Sequence, residues 1–132
     1  MTIATVAATA PGRGAGTSCL NTPMPEAPDK HAPLREALER SVRAGAAAVP
    51  QAERELAFDR PGELGGARGR YCAQVARDAN GVTDDDVAAL RAEGLDDGRI
   101  FEYTVAAAVG QASRQMTSAL AALERSRERA RQ

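Results

Sequence analysis

The spacing of apolar residues divides the chain near Leu34. Residues 1–33 hold five prolines and follow neither the period of a helix nor the alternation of a strand. From Leu34 onward, apolar residues recur every four positions with charged residues between them, which predicts an amphipathic helix from Leu34 to about Val49. We therefore expect a disordered Pro- and Gly-rich arm over residues 1–33 and one helical domain over residues 34–132.

Proline, glycine and helix-capping residues predict further helices in this domain. Their expected bounds, in chain order, are about 50–60, 67–79, 84–93 and 98–127. Asn80-Gly81 is expected to close the helix over 67–79 in a left-handed conformation, and Gly94 to end the next one. Thr83 is a suitable N-cap because residues 84–86 are all aspartate, and the helix dipole favours acidic side chains in a first turn. No segment alternates as a strand does, so the predicted fold class is all-α.

The last predicted helix carries most of the small and apolar residues. Residues 100–113 are apolar or small nearly all round, which predicts a buried central helix. The face through Val109, Met116 and Leu120 presents more small and apolar surface than the short helices can cover. We therefore expect part of this face to lie in a subunit interface. Aromatic residues make up only 3% of the chain and Trp is absent. A thin core of Ala, Leu and Val also favours a homo-oligomer, because self-association adds buried apolar surface.

Composition and charge narrow the classes of partner. The formal net charge is −1, from 17 basic and 18 acidic residues, so no overall field favours nucleic acid or an anionic membrane. No apolar run approaches the roughly eighteen residues of a membrane span, and the start of the chain lacks the basic region of a signal peptide. One histidine and two scattered cysteines do not form a common metal site or disulfide framework. We expect a cytoplasmic protein with no cofactor, no metal, no nucleic-acid partner and no membrane attachment.

The segment from Arg70 to Leu123 resembles the helical core of the alkylhydroperoxidase D and carboxymuconolactone decarboxylase superfamily. The resemblance rests on the order and spacing of a helix closing on Gly81, an acidic helix entered through Thr83, a glycine break at Gly94, and a long small-residue helix passing through Phe101, Glu102 and Gly110 to Arg114. It implies all-helical subunits that assemble into trimers or hexamers.

The active-site residues of that superfamily are missing from their expected places. Alkylhydroperoxidase D uses a CxxC pair, a nearby histidine and an upstream glutamate: one thiolate attacks the peroxide and the second thiol resolves the sulfenic acid. At the matching positions this chain has Gly66, Gly69 and Ala73. Glu53 and Glu55 lie at about the distance of the relay glutamate. The resemblance therefore implies a catalytically degenerate member that acts as an oligomeric binding or accessory protein, with a small molecule or another protein as its possible partner.

An enzyme of the same superfamily is the alternative hypothesis. Cys72 lies one position from the missing histidine and, with Glu53 or Glu55, is the candidate catalytic set for thiol-dependent peroxidase chemistry or for decarboxylase and lactone chemistry. The competing interpretation is that Cys72 packs in the core and the glutamates are solvated. A third hypothesis is an accessory subunit that binds another protein through the arm over residues 1–33.

Arg114 and Tyr71 are the candidate ligand-binding residues. Arg114 lies on an otherwise small and apolar helix, so we expect it to be partly buried and to need a carboxylate partner, either Glu102 or Glu93. A structural ion pair or a subunit contact is the alternative role for Arg114.

Overall fold

The computed structural model describes residues 29–132, so residues 1–28 of the predicted arm lie outside the described residues. Residues 31–132 form one compact unit. The α-helices are α1 (Ala32–Ala44), α2 (Gln51–Asp59), α3 (Gly66–Asp78), α4 (Asp84–Ala92) and α5 (Asp97–Arg131), with single 3₁₀ turns at Pro61–Glu63 and Ala79–Gly81. The described part of the chain contains no strand, which confirms the all-α prediction.

The core lies on one face of the first half of α5, against which α2 and α3 pack. Its buried members on α5 are Ile100, Tyr103, Ala106, Ala107 and Gly110. The opposite face is open, since Phe101 is 68% exposed. The prediction of a central helix is therefore right for one face of α5 and wrong for the other, because helices α1 to α4 are too few and too short to surround it.

Gly110 marks the closest approach between α2 and α5. A Cβ atom at this position would overlap the backbone carbonyl of Phe58, which is itself buried at the end of α2. A glycine inside a helix costs about 1 kcal/mol relative to alanine. Here the absence of a side chain lets the two helix backbones touch, and α5 can pack against α2 only for that reason.

Capping residues begin α4 and α5 where the sequence predicts. Thr83 and Asp86 form a capping box, in which the Asp86 N–H donates to Thr83 Oγ1 at 3.3 Å and the Thr83 N–H donates to Asp86 Oδ2 at 2.8 Å. Asp96 caps α5 by accepting from the Arg99 N–H at 2.8 Å. Gly94 follows α4 with a φ of 88°, the left-handed conformation expected of a C-terminal glycine.

The first helix is shorter than predicted, ending at Ala44 instead of about Val49. The chain turns away at Gly45, and Val49 enters the core at 2% exposure. Two side chains stabilise this turn. The Glu102 carboxylate accepts from the Val49 N–H at 2.7 Å, and buried Arg54 donates to the Val49 carbonyl at 3.2 Å. These long-range partners replace the hydrogen bonds that further helix would have made.

The predicted left-handed closure of α3 at Asn80-Gly81 is wrong. Among the described residues, positive φ occurs at Gly66 and Gly94 only. Ala79–Gly81 instead forms a 3₁₀ turn, closed by the Val82 N–H donating to the Ala79 carbonyl at 3.3 Å. This tighter turn supplies the hydrogen bonds that a left-handed cap would have supplied.

Candidate functional site

A cavity of about 210 Å³ lies where the starts of α2, α3 and α5 meet the link between α4 and α5. Its lining combines apolar residues with four charged side chains. The lining residues are Val49, Pro50, Glu53, Arg68, Glu93, Gly94, Leu95, Arg99 and Tyr103. The cavity is smaller than the roughly 300–1,000 Å³ of sites for drug-sized ligands, so it suits a molecule of few heavy atoms.

Arg68 joins two carboxylates along one wall of the cavity. Its NH1 lies 3.2 Å from Glu53 Oε1, and its Nε lies 3.0 Å from Glu93 Oε2. About one third of each side chain is exposed, so these ion pairs are accessible to solvent and each contributes about 1 kcal/mol or less. Burial disfavours the charge on Arg68, but Tyr103, Glu53 and Glu93 outweigh it and raise the pKa of the guanidinium. Arg68 therefore stays charged.

Glu93 also binds the start of α3. Its Oε1 accepts from the Ala67 N–H at 2.9 Å, one of the backbone groups that a helix leaves unpaired in its first turn. Gly66 adopts a φ of 66° and brings this N–H to the carboxylate. The positive end of the helix dipole favours a carboxylate here. Glu93 therefore fixes the α4–α5 link against α3 and holds one side of the cavity.

Tyr103 closes the polar wall from α5. Its ring is 2% exposed, and its hydroxyl donates to Glu53 Oε2. Burial and, to a smaller extent, the neighbouring Glu53 carboxylate outweigh the opposing effect of Arg68 and together raise the pKa of the Tyr103 hydroxyl to about 12, because phenolate and carboxylate repel each other. At neutral pH, Tyr103 is therefore an uncharged hydrogen-bond donor.

Arg99 is the most loosely held charge of the cavity. It lies one helical turn before Tyr103 on α5, and its NH1 is 3.8 Å from Asp96 Oδ2. The two side chains are 46% and 67% exposed. An exposed pair at this distance is worth little, so the guanidinium can exchange Asp96 for another acceptor at low cost. The side chains of buried Val49 and Leu95 supply apolar surface to the same cavity.

The structure separates the two glutamates that the sequence proposed as candidates. Glu53 lines the cavity and contacts both Arg68 and Tyr103. Glu55, two residues further along α2, does not line it, and accepts from Gln51 Nε2 at 2.9 Å. Of the two glutamates, only Glu53 can therefore contact a molecule bound in the cavity.

Cys72 and Tyr71 both lie in the core. Cys72 is fully buried, with its Sγ 4.0 Å from the Tyr103 carbonyl, and burial raises the pKa of its thiol to about 12. A thiol with that pKa is almost entirely protonated at neutral pH and is a poor nucleophile. Tyr71 is 7% exposed and its hydroxyl is 2.7 Å from Thr104 Oγ1. Neither residue lines the cavity, so the structure gives no geometric support to a catalytic Cys72 or a ligand-binding Tyr71.

Arg114 is half-buried as expected, but its predicted carboxylate partners are wrong. Its NH1 donates to the backbone carbonyls of Phe58 and Asp59 at the end of α2. Glu93 is held by Arg68 at the cavity, and Glu102 accepts from backbone N–H groups before α2. Arg114 thus satisfies the unpaired carbonyls that end a helix, and the helix dipole favours its positive charge there.

The two glycines at which the resemblance would place a CxxC pair are both constrained by local geometry. A Cβ at Gly69 would overlap the backbone carbonyl of Leu64. Gly66 has a φ of 66°, which strains any residue with a side chain, and its Cβ would lie 3.0 Å from Glu93 Oε1. Both glycines serve the local packing of α3 and the contact with Glu93.

The sequence does not indicate that the charged residues of the cavity lie together in the fold. Glu93 is expected only as a partner for Arg114, and Glu53 only as part of a catalytic set with Cys72. One usable signal was the position of each residue next to a predicted helix boundary: Arg68 follows a glycine pair and Glu93 precedes Gly94. Charged side chains at such boundaries can bind the unpaired groups of helix ends.

No family model matches the chain, and no curated protein or solved structure matches it either. Within residues 29–132, no helix is long and apolar enough to cross a membrane. The same residues contain no group of three or more His, Cys, Asp or Glu side chains that could hold a metal ion.

Proposed function

We propose that this chain is a catalytically degenerate relative of the alkylhydroperoxidase D and carboxymuconolactone decarboxylase superfamily that works as an oligomeric binding or accessory protein in the cytoplasm. The observation that carries the proposal is that glycines stand where the resemblance places the thiols: a Cβ at Gly69 would overlap the Leu64 carbonyl, and the φ of 66° at Gly66 strains any residue with a side chain. Cys72, the cysteine within the described residues, is sealed in the core with a pKa raised to about 12. A dithiol cycle needs an accessible thiolate and a second thiol within reach.

The cavity supports the binding part of the proposal. It keeps Glu53 together with Arg68, Glu93 and Tyr103, although no thiol lines it. Solvent-accessible charged groups beside apolar surface are typical of a site that recognises a small polar molecule. The polar groups of such a site are already oriented by their mutual hydrogen bonds, which lowers the entropy cost of binding.

The second half of α5 supports the oligomeric part of the proposal. Residues 115–131 are exposed apart from Ala121, which is half-buried. They include Met116, Leu120 and Leu123 at 45%, 45% and 54% exposure. A helix of this length without tertiary packing is marginal in water, because most helix stability comes from burial of an apolar face. Packing against another copy covers that face, and the superfamily resemblance suggests a trimer or hexamer.

Alkylation of Cys72 distinguishes this proposal from the thiol-enzyme alternative. The Cys19→Ser variant leaves Cys72 as the one cysteine of the chain. We expect it to react with iodoacetamide only after unfolding in guanidinium chloride, as measured by the mass of the intact protein. Rapid alkylation of the native variant at neutral pH would favour an enzyme that uses Cys72 with Glu53.

A further inference from the structure

The charges around the cavity fall into two groups of opposite sign. Glu53 and Glu93 carry two negative charges against the single positive charge of Arg68, so this wall keeps one formal negative charge. Arg99 carries the positive charge on the α5 side and is held only by its long, exposed pair with Asp96. A bound molecule that matches both groups carries one charge of each sign.

The remaining surface of the cavity is apolar. Val49 and Leu95 are 2% and 7% exposed, and Pro50 adds a further apolar wall. An aliphatic side chain buried against them is stabilised because its apolar surface is removed from water. At about 210 Å³ the cavity has room for a side chain of a few carbons.

Arg99 and Glu53 have the donor and acceptor chemistry for the two ends of one small molecule. The Arg99 guanidinium offers paired N–H donors, the geometry that matches a carboxylate. Glu53 uses its oxygens for Arg68 and Tyr103, but a carboxylate has about four lone-pair sites and can accept from an ammonium as well. Arg68 and Tyr103 orient Glu53 for that contact.

We infer that the cavity binds a small aliphatic α-amino acid as its zwitterion, with the carboxylate on Arg99 and the ammonium group on Glu53. The aliphatic side chain lies against Val49 and Leu95. A simple carboxylate lacks a partner for the negative wall, and a simple amine leaves Arg99 with only its weak pair to Asp96. This inference rests on the proposed binding role of the cavity and names the class of molecule that fills it.

The test is a titration of the full-length protein with three probes, in which binding is measured from the NMR shifts of the backbone amides. L-Valine carries both charges, isovalerate is valine without its amine, and isobutylamine is valine without its carboxylate. With valine, we expect saturable shifts of residues near the cavity. Each analogue should bind at least about tenfold more weakly, which is equivalent to about 1.4 kcal/mol. Absence of saturation with valine up to about 20 mM would overturn the inference. Equal affinity of valine and either analogue would do the same.

Two arginine variants locate the site. Arg99→Gln removes the carboxylate partner and is expected to weaken valine binding about tenfold or more. Arg91→Gln is the matched control, because Arg91 is 61% exposed on α4, pairs with Asp97 and does not line the cavity. We expect this control to bind valine as the unchanged protein does. Unchanged affinity in Arg99→Gln, or an equal loss in both variants, would contradict the assignment.

Failure of this inference leaves the proposed function separately testable. The subunit number and the reactivity of Cys72 are measured without valine. An oligomeric protein that has a buried thiol but does not bind valine would therefore refute only the ligand class. A monomer with a reactive thiol would refute the proposed function itself.

Discussion

Tyr103 donates its hydroxyl hydrogen bond to Glu53, a residue 50 positions earlier in the chain. This bond joins α5 to the first turn of α2 and places an uncharged donor beside a carboxylate that already holds Arg68. Burial and this pairing together raise the pKa of Tyr103, because ionisation would put a phenolate against Glu53 in a buried position. The polar wall of the cavity is thus also a contact between helices.

The Tyr103 pairing predicts a pH-dependent share of stability. The pKa of Tyr103 rises from 10.0 to about 12 in the folded protein. The native state therefore holds this proton when the unfolded chain has released it, so the contribution is complete below about pH 10 and is lost as pH rises toward 12. We expect Tyr103→Phe to be about 1 kcal/mol less stable at pH 7, and this difference to shrink between pH 10 and 12.

Urea unfolding of both proteins at a series of pH values measures that difference. Cys72 also loses its proton later in the folded state, but it is present in both proteins and cancels in the comparison. Tyr71→Phe is the matched control for loss of a buried tyrosine hydroxyl, since the Tyr71 hydroxyl lies 2.7 Å from Thr104 Oγ1 instead of beside a carboxylate. A stability gap between Tyr103→Phe and the unchanged protein that stays constant to pH 12 would contradict the role assigned to this hydroxyl.

Two glycines of α5 are expected to respond to alanine in opposite directions. Gly110→Ala forces a Cβ into the Phe58 carbonyl and should destabilise the protein by about 1–3 kcal/mol. Gly98→Ala adds a Cβ whose nearest neighbour is Asp96 Oδ1 at 3.6 Å, an ordinary contact. It should be neutral or stabilise by about 0.5–1 kcal/mol, because alanine favours the helix.

Thermal unfolding of the two alanine variants tests both expected changes in stability. For a domain of this size, 1 kcal/mol corresponds to a change of roughly 4–8 °C in Tm. If Gly110→Ala unfolds at the temperature of the unchanged protein, the backbone contact between α2 and α5 is looser than described.

Assembly through the second half of α5 predicts a difference between two lysine variants. Met116→Lys places a charge on the face shared with Leu120, so we expect a folded protein that no longer associates. Ser118→Lys changes an exposed residue on the other side of the helix and should leave the assembly intact. Light scattering at micromolar concentration gives the subunit number, and circular dichroism checks the fold. A monomeric unchanged protein, or equal dissociation of both variants, would contradict this interface.

Local signals made the helix boundaries predictable. Thr83 and Asp86 are three residues apart, and their capping box depends only on that spacing and on the two side-chain types. Gly94 made the end of α4 predictable in the same way, because a positive φ at the end of a helix favours glycine. Gly81 shows where this reasoning fails, since a 3₁₀ turn also closes a helix and needs no left-handed residue.

The candidate site was less predictable because its contacts join distant parts of the chain. Glu53 meets Arg68 across 15 positions, and Arg68 meets Glu93 across 25. Periodicity shows which face of a helix is polar, but not which polar face of another helix it meets. Arg114 illustrates the same point: burial was expected, yet its partners are backbone carbonyls, which carry no signal in the sequence.

Peroxide consumption with a thiol reductant shows whether this protein retains thiol chemistry. We expect the full-length protein to consume hydrogen peroxide or a small alkyl hydroperoxide no faster than the Cys72→Ser variant or reductant alone. The reason is that Gly66 and Gly69 carry no thiol and burial raises the pKa of Cys72 to about 12. Turnover well above the reductant background, lost in Cys72→Ser while that variant remains folded, would show a working thiol and contradict the account.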